Sequence, residues 1–190
     1  MSQLNVLRAT NYPRMPWKNG GGSTEEITRD GGKDLASFGW RLSIADIGQS
    51  GEFSNFPGYQ RIITVLQGLG MTLRVDGQDT RLLLPLAPFA FSGECQVSCA
   101  LLDGPIRDFN LIYAPERFSA RLQWLKGEQR FFSSSGTVLI FSVAEQTQVE
   151  LSNSALEVLG RHDCLQLSGI SELHEIAVTG QCCVIELTAL

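Results

Sequence analysis

The chain has 190 residues, 43% of them hydrophobic and 18% charged, a balance that excludes disorder and suffices for a core without disulfide or metal staples. Its formal net charge of -5 supplies no broad positive field, which excludes general nucleic-acid binding but leaves room for a small cationic pocket. The N-terminus lacks a charged head followed by an apolar run, and no stretch reaches the roughly eighteen apolar residues of a membrane span; a cytoplasmic protein without membrane contact is expected. Cys95, Cys99, Cys164, Cys182 and Cys183 lie in apolar, strand-like surroundings and read as reduced core thiols.

In chain order, the first distinctive segment is Met15-Pro16-Trp17-Lys18-Asn19-Gly20-Gly21-Gly22-Ser23-Thr24-Glu25. Consecutive glycines open backbone conformations closed to other residues, and their N–H groups could wrap an anion while Lys18 supplies charge. The alternative is a surface loop in which Trp17 anchors the N-terminal arm. Lys18 precedes the glycines, so this is not a nucleotide phosphate loop.

Residues Phe38 to Ile44 alternate, with Phe38, Trp40, Leu42 and Ile44 on one face and Arg41 and Ser43 on the other, which predicts a strand. Phe53-Ser54-Asn55-Phe56-Pro57-Gly58-Tyr59-Gln60-Arg61 reads as a strand end, a Pro-Gly turn and a new strand opened by Arg61. Further strands are expected over 62–66, 71–75, 80–84, 89–91, 97–102 and 108–113, then a short helix near 114–118. Residues 119–136 are expected to bridge two halves, ending in the flexible Ser133-Ser134-Ser135-Gly136. Strands over 138–143, 148–151, 164–167, 173–178 and 183–187 complete an all-β chain.

Sliding the chain by 76 residues lays Ile62 to Ile112 over Val138 to Thr188, matching Gly93 with Gly169 and Gly104 with Gly180. This predicts a duplicated barrel unit, with residues 1–118 as a first barrel carrying the N-terminal arm and 119–190 as a second. In the overlay, Arg107-Asp108-Phe109-Asn110 falls on Cys183-Val184-Ile185-Glu186. The polar strand has become almost wholly apolar, so a site is expected in the first half.

Asp108 and Asn110 share one side of their strand, with Phe109 and Leu111 on the other. They either line a pocket or face solvent. Arg61 either forks onto a ligand carboxylate or pairs with Asp108 as a structural ion pair, and Arg41 has the same choice between ligand and structure. His162 and His174 are the chain's two histidines and both fall in the apolar half, where each reads as a turn or surface residue. No His-x-His pair and no Gly-x-Ser-x-Gly elbow occurs. Neither metal nor cofactor is expected.

The chain resembles the HutD/Ves family through Met15-Pro16-Trp17-Lys18-Asn19-Gly20-Gly21-Gly22, Trp40-Arg41-Leu42-Ser43-Ile44-Ala45, Phe53-Ser54-x-Phe56-Pro57-Gly58-Tyr59-x-Arg61 and Asp108-Phe109-Asn110-Leu111. That resemblance implies a cupin-like (jelly-roll) double barrel in a bicupin arrangement and a link with histidine utilisation. It further implies a small anionic ligand, of the urocanate or N-formylglutamate type, held in an accessory or regulatory role. Trp17, Lys18, Asn19, Arg41, Phe56, Arg61, Asp108, Phe109 and Asn110 are the expected ligand-binding residues. The alternative is a metal-independent isomerase or hydrolase acting on a small carboxylate with Asp108 as general base. Lack of a histidine or metal centre favours binding over turnover, and exposed strand edges leave a homodimer open.

Overall fold

The computed structural model describes residues 3–31, 37–151 and 155–190. After β1 (Gln3–Leu7) and a 3-10 turn (Ala9–Asn11), the chain runs through β2 (Arg14–Pro16), β3 (Gly22–Arg29), β4 (Trp40–Ile47), β5 (Gly51–Glu52), β6 (Gln60–Gln67), β7 (Met71–Val75), β8 (Gln78–Asp79), β9 (Phe89–Ser92), β10 (Val97–Leu101) and β11 (Ile106–Tyr113). It continues with β12 (Phe118–Ser133), β13 (Thr137–Ser142), β14 (Thr147–Leu151), β15 (Glu157–Leu159), β16 (Cys164–Ser168) and β17 (His174–Ala189). The chain is all-β, and these strands form two compact units: Tyr12–Arg117, and Phe118–Leu190 joined by the N-terminal residues through Asn11.

In the Tyr12–Arg117 unit, one sheet has the order β2-β3-β4-β11-β6-β9 and a second the order β5-β10-β7-β8. Alternation along each strand turns Ala45, Ile47, Ile63 and Val65 of the larger sheet onto Met71, Leu73, Val97 and Cys99 of the smaller, and together they form one buried core. The expected strand over 80–84 is absent, and only Leu83 bridges to Met71. The expected helix near 114–118 is a single turn closed by the Arg117 N–H on the Ala114 carbonyl at 3.0 Å. A run this short cannot repay helix nucleation when strands flank it on both sides.

The other unit is a sheet of order β1-β16-β13-β17-β14-β15 with β12 paired to β17. Its core is built from apolar residues including Val138, Ile140, Val149, Leu165, Ile176 and Val184, with the buried Ser142 and Thr147 hydroxyls hydrogen-bonded to each other at 2.8 Å. Two expectations are corrected here. The N-terminal arm does not stay with the first barrel: β1 pairs with β16 from Gln3 opposite Ser168 to Leu7 opposite Cys164, because Leu4 and Val6 pack on this core. Residues 119–136 are no flexible bridge either, since β12 pairs with β17 from Phe118 opposite Ala189 to Ser133 opposite His174. Gly127 and Gly180 sit opposite each other at φ of 81° and 144°, so the strand pair bends where side chains would be strained.

The pairing of β6 with β9 and β11, and of β7 with β10, recurs as β13 with β16 and β17, and β14 with β17. A shift of 76 residues lays Met71–Val75 on Thr147–Leu151. It also lays Leu86 on His162, which have φ of 62° and 67° and donate their backbone N–H groups to Val65 and Ser142 carbonyls at 2.9 and 2.8 Å. Two non-glycine residues in the left-handed region at matched positions show one local turn used twice.

Candidate functional site

Strand register brings the polar residues together. Arg41, Ile112 and Arg61 are direct partners across β4, β11 and β6; the next row of that face is Ser43, Asn110 and Ile63, and the next Ala45, Asp108 and Val65. Direct cross-strand partners share a face, so the polar groups occupy one end of the face whose other end is the apolar core. They border a cavity of about 610 Å³ lined by Trp17, Lys18, Asn19, Arg41, Phe56, Arg61, Asp108 and Asn110 among others. Phe109 is the one expected residue missing from its wall. Strand alternation turns it to the opposite face of β11, where it is fully buried.

Arg61 is only 6% exposed, and its terminal nitrogens donate to Asn110 Oδ1 at 2.8 Å and the Ser54 carbonyl at 3.1 Å. Its guanidinium carbon lies 5.3, 5.4 and 5.0 Å from the ring centres of Phe53, Phe56 and Phe91, an aromatic collar that favours a cation. Its Nε has no hydrogen-bond partner among the described residues. Burial lowers the Arg61 pKa to about 10, which leaves it charged at neutral pH.

Asn110 Nδ2 donates to Asp108 Oδ2 at 2.7 Å, so the amide bridges Arg61 and Asp108. Asp108 Oδ2 bonds to Asn110 rather than to Arg61, so the geometry is a relay and not the direct structural ion pair. Asp108 is 1% exposed, and its Oδ1 has no partner among the described residues. Burial pushes its pKa up to about 7, against the opposing charge of Arg61 and the Asn110 hydrogen bond. A solvent-facing role for Asp108 and Asn110 is therefore excluded.

Arg41 is also buried, and its Nε donates to Glu26 Oε2 at 2.9 Å while Arg29 holds Glu26 Oε1 at 3.1 Å. Burial lowers the Arg41 pKa against the attraction of Glu26. Lys18 is exposed at the cavity rim.

The glycine segment is a tight hairpin between β2 and β3 rather than an anion cradle. The Gly20 N–H donates to the Trp17 carbonyl at 3.1 Å and the Gly21 N–H to Asn19 Oδ1 at 3.0 Å, so those donors are spent within the turn. Gly22 is needed for close approach: a Cβ there would lie 2.1 Å from the Asp46 carbonyl oxygen and 3.1 Å from the Trp17 ring. The hairpin seats Trp17, whose Nε1 donates to Thr24 Oγ1 at 2.8 Å.

Thr24, Ser43, Glu52, Phe53, Ser54 and Ile112 also line the cavity. Ser43 and Ile112 alternate in step with Arg41 and Asn110 and could have been found that way. Glu26 gives no local signal, since its partner Arg41 is 15 residues away on the next strand.

An open groove of about 680 Å³ lies elsewhere on this unit, bordered by Arg14, Asp46 and Arg107. Its charges already neutralise one another: Arg14 reaches Asp46 at 2.6 Å, and Arg107 reaches Glu25 and Asp46 at 2.8 Å each. In the other unit, His162 is a turn residue but a buried one, stacked on Phe141 with ring centres 5.5 Å apart. Asp163 serves Arg8 at 2.7 Å and the Ala9 and Gly160 N–H groups at 2.8 and 3.0 Å. Among the described residues no cluster of His, Cys, Asp and Glu is placed to hold a metal, and no helix is long and apolar enough to cross a membrane. All five cysteines are free thiols.

The HutD family model matches residues 9–184. An uncharacterised 21.2 kDa protein in the hutC 3′ region of Pseudomonas putida is 63% identical over 187 residues, 98% of each chain. Protein Ves of Escherichia fergusonii is 37% identical over 130 residues, 65% of this chain and 64% of that one. The structure of HutD from Pseudomonas fluorescens superposes with a TM-score of 0.91 at 64% identity, covering 99% of this chain and 100% of that one. Salicylate 1,2-dioxygenase of Pseudoaminobacter salicylatoxidans matches at 8% identity with a TM-score of 0.66, over 98% of this chain and 81% of that one, a likeness of fold alone. With its all-β cupin-like fold and a family match over nearly its whole length, the chain belongs to the HutD family.

Proposed function

We propose that the cavity of the Tyr12–Arg117 unit binds a small organic anion of histidine breakdown, of the urocanate or N-formylglutamate type, and that the protein acts in the cytoplasm as an accessory or regulatory binder. The observation that carries this reading is Arg61: a cation almost fully withdrawn from water, bordering a cavity, with no partner for its Nε among the described residues. A buried charge lacking a full set of partners is costly, and a ligand carboxylate would complete it with a charge-assisted fork. Arg41 and Lys18 add positive potential at the same wall. Histidine utilisation enters through the hutC-region relative. A thermal-shift panel of histidine-pathway acids tests it, since a ligand at 100 times its dissociation constant stabilises the fold by about 2.7 kcal/mol. Stabilisation by these acids and not by matched neutral amides is expected; no shift with any acid contradicts the proposal.

The second reading is catalysis, favoured by the Asp108 pKa near 7, which suits a general base. Incubating each stabilising acid with the protein and following its absorbance or NMR spectrum separates the two, because a binder leaves the acid unchanged.

A further inference from the structure

We infer that Asp108 makes this site selective for carboxylates that also carry an N–H donor, a specificity that rests on the anion-binding reading above. Two buried polar atoms bordering the cavity have no hydrogen-bond partner among the described residues, and they are complementary: Arg61 Nε is a donor without an acceptor, and Asp108 Oδ1 an acceptor without a donor. The Ala45 and Asp108 backbone N–H groups give the carboxyl only weak support against its burial. Asn110, which lies between them, is already committed, and no described side chain donates to Asp108 Oδ1. Asn110 Nδ2 donates to Asp108 Oδ2, and Asn110 Oδ1 accepts from Arg61. The residues directly opposite Asp108 are Ala45 and Val65, which offer no side-chain donor. A carboxylate alone would answer Arg61 and leave Asp108 Oδ1 buried against a second anion. A molecule with a carboxylate and an adjacent N–H answers both at once, and buried polar groups left unpaired are what give hydrogen-bonding sites their discrimination.

The charged and titratable groups around Asp108 are Arg61 on β6, Arg41 on β4, Glu26 on β3 behind Arg41, Lys18 in the β2–β3 hairpin, Glu52 on β5 and Cys99 on β10. Burial holds the carboxyl near pH 7, so a donor ligand, which prefers the ionised form, binds more tightly as pH rises through that value. A ligand offering only an acceptor prefers the protonated form and binds less tightly over the same range.

Pyrrole-2-carboxylate and furan-2-carboxylate make the test, being nearly isosteric acids that differ in a ring N–H against a ring oxygen. Titration calorimetry of the full chain should show pyrrole-2-carboxylate binding roughly tenfold or more tightly, with opposite pH dependences for the two acids. Asp108→Asn, which keeps the side-chain volume, should abolish the preference, while Arg61→Ala should weaken both acids in parallel. The pH profiles need no variant and so do not depend on whether a variant folds. Equal affinities in the unmodified protein, or a preference that survives Asp108→Asn, overturn the Asp108 inference and leave the anion site standing if Arg61→Ala still weakens both acids. Failure of both acids to bind, or indifference of both to Arg61→Ala, overturns the anion reading and this inference with it.

Discussion

Arg61 and Asp108 are buried at either end of a bridge made by the Asn110 amide, and the carboxyl has the more readily measured consequence. Its pKa of about 7 in the folded chain exceeds the ordinary value of 3.8, so between these values the folded chain holds a proton that the unfolded chain has released. Stability from this group is therefore full below the ordinary value and is lost as pH rises through about 7, by on the order of 2–4 kcal/mol. Urea denaturation of ligand-free protein at about pH 5 and about pH 8 should show that loss, and Asp108→Asn should flatten it. A pH dependence identical in the two proteins would refute the burial argument. Alternation in the sequence was enough to put Asp108 and Asn110 on one side of a strand. The same rule turns Phe109 away, so its assignment to the cavity wall contradicted the pattern that found its neighbours. Glu26 was invisible because an ion pair between adjacent strands leaves no trace in local spacing.

At the scale of elements, the short apolar runs identified most strands, and Met71–Val75 forms with the expected bounds. The hidden ones are those whose partner, rather than whose composition, makes them strands. In β12 the polar run Lys126-Gly127-Glu128-Gln129-Arg130 reads as a linker, yet it pairs residue for residue with β17 from Gln181 to Ala177. The glycine hairpin was found as a motif, but its role is steric. Gly22→Ala would drive a methyl group into the Asp46 carbonyl and should cost about 2–3 kcal/mol, read as a lowered melting temperature with weakened ligand binding through displacement of Trp17. An unchanged melting temperature would show that the hairpin relaxes without cost.

For the whole chain, the offset of 76 residues anticipated the recurring strand order, because the apolar pattern of Met71–Val75 returns in Thr147–Leu151, whereas the matched glycines differ: Gly104 precedes β11 and Gly180 lies inside β17, at φ of 68° and 144°. The exchange of β1 to the other unit was not legible, since its partner β16 lies more than 150 residues away in sequence. Asp108 falls on Val184 in the overlay, and Val184 is fully buried in an apolar core. The proposed anion site is therefore confined to the Tyr12–Arg117 unit. Leu165→Ala in the apolar unit should cost about 2–5 kcal/mol of stability without changing ligand affinity, measured by denaturation and calorimetry on the same preparation.

The proposed role of Arg61 as the anchor of a carboxylate is tested most directly by the affinity of urocanate for the unmodified protein and for Arg61→Ala, each shown to be folded by its melting transition. Loss of the charge-assisted fork should weaken binding by about 1.5–3 kcal/mol, roughly tenfold to more than a hundredfold. An Arg61→Ala protein that folds and binds urocanate as tightly as the unmodified chain would contradict it.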